Sequence, residues 1–408
     1  MEKGGAASEC GASSDIAAAA QQQRGEDVPM HFVSVNKVPT QVICYGDPGC
    51  LASDASKPVV LVIPGNPGSI EFYAEFMREI HQGLKGKVIV WGVSHAGHVA
   101  PPKPMQIPNV EGAEAGAIWS CCKKPSGRRA RTIIAAPIRP MSFVPSSDGM
   151  DGDCYPLLPQ PPQREIVEEG EQSFPSRALH PSIYHPTLYS CDGQIGHKMA
   201  FIKQYIPSGT PLILVGHSIG CHMVLEILKR APDLNVRKAF LLFPAIESLD
   251  ACPRVGLINP LITYLRPLTV ATLSALRLLP RSVQNLLIRF YIFLATACTT
   301  PHRTSLSGAQ NYFRPECLMA CFVFTRDIIQ NVRERDDATI GRHADKLVVY
   351  YGQNDHWSPV EYYDDLRRTF PEADVRLCDR GFRHAFVLDR SVDVGSMVRG
   401  WIEPLLLS

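Results

Sequence analysis

Leu212-Ile213-Leu214-Val215-Gly216-His217-Ser218-Ile219-Gly220 is an apolar run that ends in a G-x-S-x-G turn, and Cys221 to Arg230 behind it carries apolar residues at helical spacing. Strand, sharp turn and helix together give the motif its meaning. A glycine on each side leaves room for a strained serine backbone whose hydroxyl stands clear of the sheet. The pattern alone is common in chains of ordinary composition. An idle serine in a glycine-rich turn is the plainer alternative, and the flanking strand and helix weigh against it.

Four further runs of the same buried type surround this one. Pro58 to Pro64, Lys87 to Gly92, Lys238 to Phe243 and Lys346 to Gly352 are short and mostly apolar, with helical patterns between several of them, as at Ile70, Tyr73, Phe76, Met77 and Ile80. Strands alternating with helices predict an α/β fold, a mostly parallel sheet covered on both faces. His31 to Val35 and Thr40 to Tyr45 read as an initial hairpin. Ligands of such sheets bind at the carboxyl ends of the strands, so the loops after these runs are where chemistry is sought.

A serine hydroxyl is a poor nucleophile at neutral pH; it needs a base within hydrogen-bond reach and a third group to orient that base. Both follow in the chain. Asp355, in Gly352-Gln353-Asn354-Asp355-His356-Trp357-Ser358-Pro359, stands three positions beyond a strand-ending glycine, with Pro359 suited to begin the next helix. Its plain reading is a helix cap, which does not exclude catalysis. His384, in Arg380-Gly381-Phe382-Arg383-His384-Ala385-Phe386, follows the short strand Asp374 to Cys378 and is placed to reach Ser218. Ser218 as nucleophile, Asp355 as acid and His384 as base follow the chain order of the α/β-hydrolase fold. Acyl transfer also requires donors for the oxyanion. Ile219, directly after the nucleophile, supplies one backbone N–H. Pro64 and Pro67 have none to give, so the second is expected from Asn66, with Gly65 and Gly68 as alternatives.

Other histidines compete for attention. His95 and His98, in Ser94-His95-Ala96-Gly97-His98, are spaced as metal ligands can be, but no acidic or cysteine cluster nearby completes a coordination set. They are expected to shape the pocket wall, and neither a metal nor a cofactor is predicted. His217 fills the variable position of the turn. His356, adjacent to Asp355, is expected to point away from it.

The 408 residues carry a formal net charge of +1, which offers nucleic acid no electrostatic footprint. Thirteen cysteines, without a C-x-x-C pair, read as reduced thiols of a cytosol-facing protein. The first residues lack the sustained apolar segment of a secretory signal, so secretion is not expected. Residues 1–27 read as a disordered N-terminal extension and 28–408 as one hydrolase domain. That domain is interrupted twice. Residues 101–186 lack sustained periodicity, and fifteen of the chain's 34 prolines fall between 101 and 190, so this stretch reads as a disordered insertion. Residues 250–332 read as an apolar helical cap. Within them, 251–314 contain no Asp or Glu, yet seven arginines punctuate runs such as Leu257 to Leu265, Leu268 to Leu279 and Leu286 to Ala297. A basic, acid-free apolar segment suits a lipid interface with anionic head groups, and no uncharged run is long enough to span a bilayer. The plainer alternative is a lid over an acyl pocket, and both can hold together.

Several motifs in combination carry a resemblance. Ile63-Pro64-Gly65-Asn66-Pro67-Gly68, Ser94-His95-Ala96-Gly97-His98, Gly216-His217-Ser218-Ile219-Gly220, Leu241-Leu242-Phe243-Pro244 before Ile246-Glu247, and Tyr350-Tyr351-Gly352 with Asp355 resemble the lipid droplet-associated hydrolase family over about residues 28–100 and 187–408. The resemblance implies a serine hydrolase acting on carboxylic esters of lipids, cholesteryl ester or another neutral lipid, at the lipid droplet and the endoplasmic reticulum. Residues 101–186 depart from it. Two alternatives stay open: a lipid-droplet binding or organising protein with little or no catalysis, and an acyltransferase using the same three residues.

Overall fold

In the computed structural model, residues 28–47, 51, 56–101, 186–296 and 303–407 are described. The expected N-terminal extension and residues 102–185 of the expected insertion lie outside them. The strands are β1 (Met30–Val35), β2 (Val38–Tyr45), β3 (Val59–Ile63), β4 (Ile89–Val93), β5 (Leu212–His217), β6 (Val236–Leu242), β7 (Leu347–Tyr351) and β8 (Asp374–Leu377). They form one sheet in the order β1-β2-β4-β3-β5-β6-β7-β8. The hairpin β1–β2 is antiparallel and β2 runs antiparallel to β4. From β4 onward every pairing is parallel.

β3, β4, β5 and β7 are buried along their whole length, which is why they read as unbroken apolar runs rather than alternating ones. Their side chains still alternate between faces. Leu61, Ile63, Leu214, Leu241 and Val349 pack on one side with Phe201 and Ile202 of α2 (Cys191–Tyr205) and Met223 and Val224 of α3 (Ile219–Arg230). Val60, Val62, Ile213, Val215 and Leu242 pack on the other with Phe76, Met77 and Ile80 of α1 (Ala74–Gly83). Val394 and Val398 of the last long helix join that second side. The expected helix after β3 forms, but its first turn, Ile70–Tyr73, is a 3-10 helix.

Between β6 and β7 lies a run of helices: α4 (Pro253–Thr263), α5 (Arg266–Leu276), α6 (Arg281–Thr296), α7 (Arg303–Gln310) and α8 (Pro315–Asn331). Then follow α9 (Asp337–Arg342), α10 (Val360–Thr369) and α11 (Ser391–Ile402). Pro359, expected as the first helical residue, is instead the N-cap of α10, with extended backbone. Among the described residues no helix is long and apolar enough to cross a membrane.

α2 buries a lysine. The Lys198 side chain is fully enclosed, its Nζ donating to the carbonyl of Ser94 at 2.9 Å and to His197 Nδ1 at 3.2 Å. Burial penalises the ammonium and pushes its pKa down from 10.5 to about 7. The folded state therefore binds fewer protons than the unfolded chain between about pH 7 and 10.5, and this group's penalty on stability is relieved as pH rises through that window. Lys198→Met is expected to stabilise the protein by about 1 kcal/mol or more at pH 6.5. The gain over wild type should shrink towards pH 10; denaturant melts of both proteins across pH 6 to 10 check it, and a gap independent of pH would contradict it.

Candidate active site

Ser218 is the turn between β5 and α3. Its backbone sits at φ 55° and ψ −124°, outside the regions a non-glycine residue ordinarily occupies. Its N–H donates to the carbonyl of Leu242 at 3.0 Å, and its own carbonyl accepts from Cys221 at 3.0 Å and Ala245 at 3.2 Å. The glycines make the strained turn possible. A Cβ on Gly220 would lie 2.3 Å from the Ile63 carbonyl oxygen and 2.8 Å from that of Pro64, and one on Gly216 would lie 2.7 Å from the Gly220 carbonyl oxygen. These are backbone atoms of β3, the loop after it and α3, which cannot swing aside as a side chain can. Gly220→Ala is expected to cost about 2 kcal/mol of stability or more and to move Ser218. A thermal melt and a turnover assay together check this; a variant matching wild type in both would contradict it.

Three residues distant in sequence converge on this turn. His384 Nε2 lies 2.8 Å from Ser218 Oγ, and His384 Nδ1 lies 2.6 Å from Asp355 Oδ2. The Asp355 side chain is wholly buried, while that of His384 keeps 16% of its surface open. Asp355 Oδ1 accepts the N–H groups of Trp357 at 2.8 Å and Ser358 at 3.3 Å. Burial alone would raise its pKa, but the imidazole of His384 and these two N–H groups outweigh it and hold the carboxyl below 3.8. The aspartate thus caps its turn and orients the imidazole at once. His356 is exposed, away from its buried neighbour.

The loop after β3 faces the same point. Ile63 pairs with Gly216, so the loop begins beside the serine turn. The Gly65 N–H donates to Tyr73 Oη at 2.8 Å, and the Gly68 N–H to His98 Nδ1 at 3.2 Å. The N–H groups of Gly65 and Gly68, the two alternatives to Asn66 as an oxyanion donor, are thus engaged with side chains. Its side chain is clasped by α8: Nδ2 donates to Thr325 Oγ1 at 2.7 Å and Oδ1 accepts from Cys321 Sγ at 3.2 Å. The Ile219 N–H opens α3, where helix geometry leaves it without an intrahelical acceptor.

His95 and His98 are buried against Phe324 of α8, with ring centroids 5.1 Å and 5.6 Å from it. Burial pushes the His98 pKa down to about 3. Both hold the Gly68 turn, the His95 N–H donating to the Gly68 carbonyl at 2.8 Å, and Gly68 must lack a side chain because a Cβ there would lie 2.2 Å from the His95 ring. Among the described residues no group of three or more His, Cys, Asp or Glu could hold a metal.

Sequence reasoning missed the residues behind the site. Tyr73 read only as a helix-face apolar residue and His217 as filler of a variable position, while Thr325 and Cys321 were not singled out within the apolar cap of 250–332. Each acts through a partner more than a hundred residues away.

The chain matches the family model described as lipid-droplet associated hydrolase over residues 56–115 and 158–387. The stretch between the two matched segments is 116–157, which lies within the 101–186 where the sequence departs from the family's pattern. A protein of Gallus gallus named lipid droplet-associated hydrolase is 31% identical over 383 residues, covering 92% of this chain and 96% of that one. A Homo sapiens protein of the same name is 30% identical over 380 residues, covering 91% and 95%. Among solved structures, a laboratory-evolved variant of potato epoxide hydrolase superposes with a TM-score of 0.51 at 11% identity, covering 93% of this chain and 100% of that one. That likeness concerns the fold alone, which is the α/β-hydrolase fold. With the family model spanning well over half its length, the chain belongs to the lipid-droplet associated hydrolase family.

Proposed function

We propose that the protein is a serine hydrolase that cleaves carboxylic esters of lipids at the lipid droplet surface, through Ser218, His384 and Asp355. The observation that carries this reading is the continuous alignment Ser218 Oγ, His384 Nε2, His384 Nδ1 and Asp355 Oδ2 at 2.8 Å and 2.6 Å on a strained turn. Ser218 Oγ attacks the ester carbonyl carbon while its proton passes to His384 Nε2. The new oxyanion meets the N–H groups of Ile219 and Asn66. Collapse breaks the C–O ester bond, and His384 gives its proton to the departing alkoxide, releasing the alcohol. Water then attacks the acyl-enzyme, His384 takes its proton, and the second collapse returns that proton to Ser218 and releases the fatty acid. Asp355, held ionised, keeps Nδ1 protonated and stabilises the imidazolium formed twice in the cycle.

Lipid as the substrate class is supported by the helices between β6 and β7, which act in this reading as a cap. Tyr264, Leu268, Leu278, Leu286, Phe290 and Tyr291 are each 60% exposed or more. Cap and chemistry are joined at α8, whose Thr325 and Cys321 hold the side chain of the proposed oxyanion donor. Thr325→Val removes one of the two anchors and is expected to lower kcat about tenfold with KM within about threefold of wild type; equal loss in both would argue for altered substrate binding instead. Attachment to the cytosolic face of the droplet or of the endoplasmic reticulum follows the same surface.

The test is fatty-acid release from emulsified long-chain cholesteryl esters, triacylglycerols and monoacylglycerols. At least one of these is expected to be hydrolysed by wild type and by no Ser218→Ala protein. Folded, droplet-bound wild type that releases no fatty acid from any of them would overturn the proposal.

A further inference from the structure

A buried chain of hydrogen bonds joins the loop after β3 to the base. The Gly65 N–H donates to Tyr73 Oη at 2.8 Å, Tyr73 Oη lies 2.6 Å from His217 Nδ1, and His217 Nε2 lies 2.8 Å from the backbone carbonyl of His384. The ends fix the direction of every link. A carbonyl can only accept, so His217 carries its proton on Nε2; Nδ1 is then the acceptor, and Tyr73 donates to it while receiving the Gly65 N–H. Burial, and then the neighbouring His384, push the His217 pKa down to about 3, so this ring stays neutral wherever the serine chemistry operates.

We propose that His217, held in its tautomer by Tyr73, is a positioning residue for the reaction at Ser218: its Nε2–H pins the backbone of the base-bearing loop and so sets His384 Nε2 against Ser218 Oγ. The inference rests on the hydrolase reading above. Between β8 and the short helix at Phe386 the loop has neither strand nor helix, and Gly381 turns it through the left-handed region at φ 66°. Such a loop does not locate an imidazole to within a few tenths of an ångström by itself. His217 can, because it is the last residue of β5 and its ring is wedged against Phe386 and Phe243, at centroid distances of 4.9 Å and 6.2 Å. Neutrality matters as much as position. His384 becomes a cation when it takes the serine proton, and the His217 ring is 5.2 Å away between centroids. A second cation there would oppose the transition state; a neutral N–H donor to the His384 carbonyl does not. At its other end the chain consumes the Gly65 N–H and so fixes the loop that presents Asn66.

The test compares wild type, His217→Phe, His217→Gln and Tyr73→Phe in ester turnover, with each kcat expressed per Ser218 titrated by a fluorophosphonate. That normalisation removes protein lost to misfolding. His217→Phe is expected to lower kcat per titrated site about 10- to 100-fold with KM within about threefold, because a misplaced base slows chemistry more than binding. His217→Gln, whose amide can still donate to the His384 carbonyl, is expected to recover most of that loss. Tyr73→Phe leaves the ring without the donor that fixes it and should lose about threefold to tenfold, which keeps the proposal testable if His217→Phe does not fold. Wild-type kcat per titrated site in His217→Phe or in Tyr73→Phe, or a His217→Gln protein as impaired as His217→Phe, would overturn it. Wild type that no fluorophosphonate titrates would overturn the hydrolase reading itself, a different and separately visible outcome.

Discussion

Ser218→Ala is expected to lower lipid-ester turnover by about 10⁴-fold or more, about 5.5 kcal/mol or more of transition-state stabilisation, with the fold intact. The size follows from the site's dependence on one covalent step. Without Oγ, His384 and Asp355 have no hydroxyl to activate, and the remaining help is the oxyanion donors acting on direct attack by water. The fold should not notice the loss. Ser218 Oγ is not bound to the sheet; its backbone groups hold the turn through Leu242, Cys221 and Ala245, and alanine keeps all of them. Some stability is expected to be gained or lost only through the strained backbone, by less than about 1 kcal/mol. Turnover assays beside a thermal melt check both halves. A variant that melts like wild type and hydrolyses within tenfold of it would remove Ser218 from the chemistry.

The second large effect concerns attachment. α6 is apolar on more than one side: Ile288 and Ile292 pack inward against Leu306 and Phe313, while Leu286 and Phe290, four residues apart on another face, stand open. Large apolar side chains grouped on an open helix face are the kind of surface that inserts into an apolar phase. Among the described residues from 251 to 296 no acidic side chain interrupts it. Each large side chain inserted among acyl chains contributes about 1.5–3 kcal/mol. Leu268→Asp, Leu286→Asp and Phe290→Asp together remove three such contributions and bring three charges to the interface. Partitioning onto neutral-lipid emulsions carrying an anionic phospholipid is expected to fall more than about 100-fold in flotation assays, with hydrolysis of a short soluble ester retained. Undiminished flotation would place the lipid contact elsewhere.

The sheet and the three residues that meet at the candidate site were legible because their signals are local or ordered along the chain. β3, β5 and β7 are buried on both faces, so composition alone marks them within a residue or two. β6 began earlier than its apolar run because Arg237 at its start lies at the exposed margin of the sheet. Ser218, Asp355 and His384 each follow a strand end, and a strand end is something periodicity can locate. The supporting residues announce nothing in sequence. Tyr73 and His217 are 144 positions apart and Asn66 and Thr325 are 259 apart, so their pairing exists only once the sheet has closed and α8 has come to lie over the loop. His95 and His98 illustrate the same limit: nothing in the sequence pairs them with Gly68, whose backbone both of them hold once the fold has formed.

The most direct measurement is mass spectrometry of the full-length protein after reaction with a fluorophosphonate. One phosphonyl adduct per chain is expected, on the peptide containing Gly216-His217-Ser218-Ile219-Gly220, formed slowly or not at all in His384→Ala and absent in Ser218→Ala. Folded wild-type protein that takes up no adduct, or takes it up at any residue other than Ser218, would contradict the account.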